Sequence, residues 1–231
     1  MIMKRVRWVI LLVLINQWSI AGSFHLPADL PLTLIPTSVN SEQPLVFFIS
    51  GDGGWIEFDQ KLSETLSRRG MPVVGLDARK YFWKEKTPAQ TTAELSAAIA
   101  QYMKRWNKKT FVLLGFSFGA SIVPFVATRL APDLQKSLRV VIALSPDERT
   151  DFEVHLADML NLGNNKGHYN VLAEMTRIKD SGLVCLFGHD EDNAVEAKLT
   201  QAGIRVAHLP GGHHYDDNYG ALAEAISPNT D

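Results

Sequence analysis

The residues of this sequence that could do chemistry begin with a serine between two glycines, in the pattern Gly-x-Ser-x-Gly at residues 115–119. The apolar run before it, residues 110–114, favours a buried strand, and residues 120–130 after it have the apolar spacing of a helix. In a nucleophile elbow, a serine occupies the sharp turn between a strand and a helix, and the flanking glycines let the backbone turn without a clash. The stretch therefore predicts Ser117 as a nucleophile. The alternative is a packing turn without chemistry.

A serine nucleophile needs a base, and two adjacent histidines follow a pair of glycines late in the sequence. A neutral imidazole can accept the hydroxyl proton during attack on a carbonyl carbon. His213 is the first candidate because it directly follows glycines 211–212, which let it reach back over the serine. His214 is the second candidate. A solvated or metal-binding histidine is the alternative at either position.

The third group of such a site is a carboxylate that orients the imidazole and stabilises its charged form. An acidic run at residues 190–192 follows an apolar segment, and it offers Asp192 as first choice, Asp190 as second and Glu191 as third. At least one of these residues is expected to cap a helix N-terminus instead. The order serine, acid, histidine is that of an α/β-hydrolase triad.

A glycine-rich loop at residues 50–54, Ser-Gly-Asp-Gly-Gly, suits an oxyanion hole. Glycines let backbone N–H groups approach the oxygen of a tetrahedral intermediate. The first donor is predicted to be the N–H of Asp52 or Gly53, and the second is the N–H of Phe118, the residue after the nucleophile. The loop lacks the lysine and hydroxyl residue of a phosphate-binding P-loop.

The elements that must position these residues alternate between strands and helices. Strands are predicted at residues 44–50, 71–77, 110–114, 138–144, 183–187 and 204–209, with a possible early edge strand at 32–36. Helices are predicted at residues 58–69, 88–106, 120–130, 191–202 and 219–226. Continuous apolar strands in repeated β–α units favour a parallel sheet covered on both faces. The fold class is therefore α/β, an α/β-hydrolase fold with a mostly parallel central sheet and helices on both faces. Residues 146–181 interrupt the alternation of strands and helices and are predicted to form an excursion over the site.

The composition of the chain limits the classes of molecule that it is expected to bind. The 231 residues carry a formal net charge of −2 and are 46% hydrophobic, which suits one sizeable domain and gives no basic footprint for nucleic acid. No cofactor or metal is predicted, because no ligand spacing typical of a metal site is present. The residues that could nevertheless cluster around a metal are His189, Asp190, Asp192, His213, His214, Asp216 and Asp217.

The N-terminal segment has the pattern of a secretory signal. Lys4, Arg5 and Arg7 form a basic region before a short apolar run at residues 8–15, and small residues lead to a cleavage site between Ala21 and Gly22. The apolar run is shorter than the roughly 20 residues that a spanning helix needs. The prediction is a signal peptide at residues 1–21, a single domain at residues 22–231 and a periplasmic location.

The assembled motifs resemble the VirJ/AcvB family of bacterial exported α/β-hydrolases. The matching blocks are residues 50–55, 80–83 with 86–88, 115–120 and 211–214. The resemblance implies a periplasmic serine hydrolase with Ser117 and either His213 or His214 in the site. It also implies activity on an aminoacylated phosphatidylglycerol such as the lysyl ester, and a link to virulence, type IV secretion and periplasmic secretion components.

Two features of the chain bear on such a substrate. The loops predicted at the site are rich in carboxylates, which would attract a cationic head group, although capping and solubility are the alternative explanation. The segment Lys-Tyr-Phe-Trp-Lys at residues 80–84 has the composition of a membrane interface, although such aromatics more often cover a core. Trp55 and Trp83 are predicted to line the substrate pocket. The partner is then an ester on a membrane lipid head group, with peripheral membrane contact.

Two other functions remain open at this point. The chain could be a non-catalytic interaction module of a secretion system, or a carboxylesterase or thioesterase with another substrate. A pure scaffold has no physical need for a serine, a carboxylate and a histidine in this order, so hydrolysis is favoured.

Overall fold

The structure is a computed structural model that describes residues 30–154, 167–191 and 194–227. The predicted signal peptide lies outside the described residues, and so does part of the predicted excursion at residues 146–181. Within the described ranges, no helix combines the length and the apolar character that crossing a bilayer requires.

The order of elements follows the predicted alternation of strands and helices. The strands are β1 (Leu32–Ile35), β2 (Leu45–Ile49), β3 (Val73–Leu76), β4 (Phe111–Phe116), β5 (Leu138–Leu144), β6 (Arg149–Thr150), β7 (Tyr169–Asn170), β8 (Leu183–Gly188) and β9 (Arg205–Leu209). The helices are α1 (Glu57–Arg68), α2 (Ala78–Tyr81), α3 (Pro88–Arg105), α4 (Phe118–Ala127), α5 (Pro132–Ser137), α6 (Val171–Thr176), α7 (Ala194–Gln201) and α8 (Tyr219–Ile226).

A seven-stranded sheet in the order β1-β3-β2-β4-β5-β8-β9 forms the centre of the protein. Strand β1 pairs antiparallel with β3 at one edge, and the other neighbours pair in parallel. Every residue of β2 and of β4 is buried, as expected for parallel strands that are covered on both faces. The predicted α/β class with a mostly parallel sheet and helices around it is confirmed.

The sheet separates two apolar layers, because consecutive strand residues point to opposite faces. Phe47 packs in the layer that contains Ile99 of α3 and Val123 of α4. Its neighbour Phe48 packs in the other layer, with Leu62 of α1 and Leu222 of α8. Both layers hold the strands rigidly, so the loops at their carboxyl ends have a fixed base.

The short elements were not predicted from the sequence, because one or two turns of chain are too short for a period to be recognised. Helix α2 depends on a cap, since the Asp77 side chain accepts a hydrogen bond from the Lys80 N–H at 3.1 Å. Within the excursion, β6 pairs antiparallel with β7, so part of this segment is ordered beside the site rather than a simple loop. Helix α7 begins at Ala194, where the prediction began it at Glu191.

Candidate active site

The candidate site lies where parallel strands end, which is where open α/β sheets bind ligands. Ser117 follows β4, Ser145 follows β5, Glu191 comes after β8, and His213 comes after β9. These strands are consecutive neighbours in the sheet. The topology therefore brings residues that are distant in the sequence to one edge.

Ser117 has the backbone of a nucleophile elbow. It adopts φ 52° and ψ −113°, a region that L-residues rarely occupy, directly between β4 and α4. Its N–H donates to the carbonyl of Leu144 at 2.8 Å, which fixes the turn against β5. A Cβ on Gly115 would collide with the carbonyl of Gly119, and one on Gly119 would collide with the carbonyl of Ile49. Both glycines of the motif are therefore required by close backbone approach.

The imidazole beside this turn belongs to His213. Its Nδ1 lies 2.7 Å from Oε1 of Glu191, and its ring centroid is 5.0 Å from that of Phe116, the residue before the serine. The hydrogen bond to Glu191 raises the pKa of His213 above its ordinary value, against the opposing effect of burial; Asp147 and Asp52 add smaller contributions. A neighbouring anion thus favours the imidazolium that forms when a serine gives up its proton.

Glu191 is held by three donors. Besides His213, the Ser145 hydroxyl donates to Oε2 at 2.7 Å and the Gly188 N–H donates to the same oxygen at 3.3 Å. Burial alone would raise the pKa of Glu191, but the bonds from His213 and Ser145 outweigh it and hold the pKa below its ordinary value. The carboxylate is therefore ionised at neutral pH and can only accept hydrogen bonds.

The sequence ranked Asp192 first and Asp190 second for this role, and the structure instead places Glu191, the third choice, on the imidazole. Asp192 lies outside the described residues. Asp190 is exposed, and its N–H donates to the carbonyl of Gly211 at 3.0 Å. The Glu191 N–H bonds back to the Gly188 carbonyl at 3.2 Å, so the chain curls and returns the Glu191 side chain toward the sheet.

His214, the alternative base, also packs near Phe116 but has a different environment. It is exposed, and its ring centroid is 5.4 Å from those of both Phe58 and Phe116. Burial lowers the pKa of His214, and the adjacent His213 lowers it further. Of the two histidines, His213 is the one with the carboxylate partner.

Ser145 and Tyr215 support the acid and were missed by sequence reasoning. Ser145 is buried with φ 53°, and its hydroxyl lies 2.9 Å from the hydroxyl of the fully buried Tyr215. Tyr215 also lies 2.8 Å from the carbonyl of Leu186. Because Glu191 accepts only, the Ser145 hydroxyl gives its proton to Glu191, and the Tyr215 hydroxyl gives its own to the Leu186 carbonyl. A serine directly after a buried parallel strand was the signal that could have found this network.

The ends of β8 and β9 approach closely enough for this contact because of glycines. A Cβ on Gly188 would collide with the carbonyl oxygens of Gly211 and Gly212. Gly211 itself has φ 93°, and residues 215–217 continue in the left-handed region with φ of 55°, 49° and 54°. A left-handed turn therefore follows the histidine pair directly.

The predicted oxyanion loop passes beside the nucleophile. A Cβ on Gly51 would lie 3.7 Å from that of Ser117. The turn closes with a bond from the Gly54 N–H to the Gly51 carbonyl at 3.1 Å, which leaves Asp52 and Gly53 at its tip. Phe118 is the first residue of α4, so its N–H has no acceptor within the helix.

The cavity at Ser117 has a volume of about 180 Å³ and an acidic lining. Among the described residues that line it, the charged ones are four carboxylates, Asp52, Asp147, Asp151 and Glu153, and one guanidinium, Arg149. Desolvation raises the pKa of Asp147; His213 opposes this effect, and Asp52 and Glu191 add to it. Asp147 is still accessible from the cavity, so the field there is negative.

Trp55 and Trp83 do not line this cavity. Both line a separate cleft of about 420 Å³, which Gly53 and Gly54 of the predicted oxyanion loop also line. The Trp55 indole packs over Gly75, where any Cβ would collide with it, and its Nε1 donates to Gln60 at 3.0 Å. Trp83 is 51% exposed.

The aromatic segment at residues 80–84 divides between core and surface. Tyr81 and Phe82 are buried in the apolar layer with α3 and α4, whereas Lys80, Trp83 and Lys84 are exposed. Among the described residues, no three histidine, cysteine or acidic side chains are grouped so that they could hold a metal ion.

The fold and the site define a class, the proteins with an α/β-hydrolase fold. A lipase-esterase related protein from Clostridium acetobutylicum superimposes with a TM-score of 0.61 at 16% identity, covering 87% of this chain and 99% of that one. Est1E from Butyrivibrio proteoclasticus gives a TM-score of 0.59 at 17% identity, with coverage of 85% and 91%. XC6422 from Xanthomonas campestris, described as a serine hydrolase without a lid, gives 0.55 at 17% identity, with coverage of 86% and 86%.

At these identities the likeness shows the fold alone. No curated protein sequence matches the chain. A family model does: residues 43–230 match the bacterial virulence protein (VirJ) family. The chain belongs to that family, as the sequence motifs suggested.

Proposed function

We propose that this protein is a serine hydrolase that cleaves a carboxylic ester through an acyl-enzyme. The observation that supports this most is the ordered pair of Glu191 and His213 beside an elbow serine. Ser145, Tyr215 and the Gly188 N–H hold the pair, and such a supported carboxylate has no evident purpose in a scaffold. The esterases among the structural neighbours agree with this reaction class.

The proton positions follow from the acceptor-only carboxylate. Ionised Glu191 requires the hydrogen of neutral His213 on Nδ1, so Nε2 has a free lone pair. Nε2 then takes the Ser117 proton as its Oγ attacks the ester carbon. The oxyanion accepts hydrogen bonds from the N–H of Phe118 and of Asp52 or Gly53.

The second half of the reaction returns the enzyme to its starting state. The imidazolium gives its proton to the departing alcohol oxygen, which leaves an acyl ester on Ser117. Water then attacks that ester, with His213 again as base, and the acid product leaves. Because only neutral His213 can start the cycle, kcat/KM should rise with pH through a pKa above the ordinary value of about 6.5.

The substrate we propose is an aminoacyl ester of phosphatidylglycerol, of the lysyl type, met at the outer face of the inner membrane. The acidic cavity beside Ser117 supports this, because an aminoacyl group brings one or two ammonium charges next to the scissile carbonyl. The signal pattern at residues 1–21 supports a periplasmic location. Exposed Trp83 and Lys84 would meet the anionic lipid surface. The family description supports a link to virulence, which we extend to type IV secretion components.

The test is hydrolysis of lysyl-phosphatidylglycerol in detergent micelles, measured as released lysine. The matched substrate is the same lipid with both amino groups acetylated, which keeps the ester and removes the positive charges. Turnover of the lysyl lipid by the parent protein, none by Ser117→Ala, and at least tenfold less for the acetylated lipid would support the proposal. Equal turnover of both lipids would refute the cationic substrate, and turnover of neither lipid would refute the lipid substrate altogether.

A further inference from the structure

The cleft that holds Trp55 and Trp83 shares a wall with the Ser117 cavity. Asp52 lines the cavity, while the next residues of the same loop, Gly53 and Gly54, line the cleft. The loop predicted to bind the oxyanion is thus the partition between two compartments. An ester held at this loop could place its acyl side in one compartment and its alcohol side in the other.

Arg79 is fixed against this partition by close backbone packing. Gly54 has φ 86°, and a Cβ there would lie 2.9 Å from Oδ1 of Asp77 and 3.2 Å from Cβ of Arg79. Because residue 54 is glycine, the loop lies directly against the first turn of α2. Arg79 is therefore adjacent to the loop, and it is one of the residues that line the cleft.

The two compartments carry opposite charge. In the cleft, Lys80 Nζ is paired with Asp77 Oδ2 at 2.8 Å, which locally compensates both charges. Within the described part of the chain, Arg79 has no ion-pair partner. Its guanidinium is therefore the uncompensated positive charge among the residues that line the cleft. The described residues that line the cavity include four carboxylates and the guanidinium of Arg149, and one of the carboxylates, Asp151, lies 2.6 Å from Nδ1 of His168.

We infer that this cleft is a leaving-group subsite that binds the phosphodiester of the alcohol product, with Arg79 as its principal contact. A guanidinium presents two parallel N–H donors that match phosphate oxygens. Trp55 and Trp83 supply apolar surface for the glycerol that links the phosphate to the ester. The inference rests on the proposed function. An aminoacyl phosphatidylglycerol is cationic on one side of its scissile bond and anionic on the other, and the two compartments match that polarity.

A binding experiment tests the subsite without requiring turnover. The probe is glycerophosphoglycerol, which has the diester but no acyl chains and no amino acid, titrated calorimetrically into the Ser117→Ala protein. Adding Arg79→Gln should weaken binding about tenfold or more, as expected when a hydrogen bond to a charged group is lost. Arg79→Lys should recover part of the affinity. Arg68→Gln, the same change on the exposed end of α1, should leave it unaltered.

Three results would overturn the inference. The first is that glycerophosphoglycerol does not bind. The second is that the Arg79→Gln variant binds it as tightly as the protein with Arg79 does. The third is that inorganic phosphate binds as tightly as the diester. If the diester binds through Arg79 but lysyl-phosphatidylglycerol is not hydrolysed, the subsite stands and the proposed substrate falls. If the lipid is hydrolysed and Arg79→Gln changes neither binding nor KM, the proposed substrate stands and the subsite falls.

Discussion

Replacing Glu191 by glutamine tests the assignment of the acid, because the amide keeps the size of the side chain but changes what it can donate. The oxygen of the new side chain is drawn toward the donors Ser145 and Gly188 N–H. Its NH₂ group then faces Nδ1 of His213, which must accept. The imidazole proton moves to Nε2, and Nε2 can no longer act as the base for Ser117.

The size of the effect follows from these contacts. The same carboxylate-to-amide change in a Ser-His-Asp protease lowers kcat about 10⁴-fold through the wrong tautomer. Here Ser145 and Gly188 both stabilise the unproductive amide orientation, so we expect a loss in kcat of about 10³ to 10⁴, or roughly 4 to 5.5 kcal/mol of activation free energy. Losing the anion also removes the main cause of the raised pKa of His213, so the remaining activity should reach its plateau at lower pH.

The assay is hydrolysis of a p-nitrophenyl ester across pH 5 to 9, with thermal unfolding measured to confirm folding. Asp190→Asn and Asp192→Asn are matched controls, since they make the same chemical change at the neighbouring positions. Both should retain activity within about threefold of the parent protein. A collapse of activity in Asp192→Asn, together with near-normal activity in Glu191→Gln, would refute our reasoning about the site.

Three further outcomes are expected. Gly119→Ala should destabilise the fold by more than about 3 kcal/mol in urea unfolding, because its Cβ would collide with backbone atoms. Gly53→Ala is the control, because its Cβ meets open space. Equal stability of the two variants would contradict the elbow packing. Asp147→Asn should raise KM for lysyl-phosphatidylglycerol about tenfold without changing kcat for an uncharged ester. The control Asp133→Asn on α5 should change neither value. A KM that Asp147→Asn leaves unchanged would show that this carboxylate does not recognise the cation. Ser145→Ala should lower kcat about tenfold or more, because a hydrogen bond to a charged group contributes about 1.5–3 kcal/mol; an unchanged kcat and pH profile would show that the acid does not need this support.

Much of the fold could be predicted because buried parallel strands are continuous apolar runs. Strand β5 and helix α8 have the predicted bounds, Leu138–Leu144 and Tyr219–Ile226, and the other main elements agree within a few residues. Local patterns also indicated Ser117, since Gly115 is required by a contact with Gly119 within the turn, while Gly119 is required by the Ile49 carbonyl on β2.

The choice among three consecutive acidic residues could not be made locally. It depends on how the chain curls after β8 and on Ser145, a donor that arrives from β5, which is distant in the sequence. The placement of Trp55 was likewise non-local, because the space for its indole is provided by Gly75 on another strand. Sequence patterns identify the elements, and contacts between elements decide which side chains reach the site.

In the proposed mechanism, Ser117 is a nucleophile activated by His213. Its most direct test is reaction with a fluorophosphonate at neutral pH, followed by mass spectrometry of the peptide that contains residues 115–119. We predict a single adduct on Ser117 in the parent protein, none in Ser117→Ala, and slow labelling in His213→Ala. An unlabelled parent protein, or an adduct that persists in Ser117→Ala, would contradict the claim.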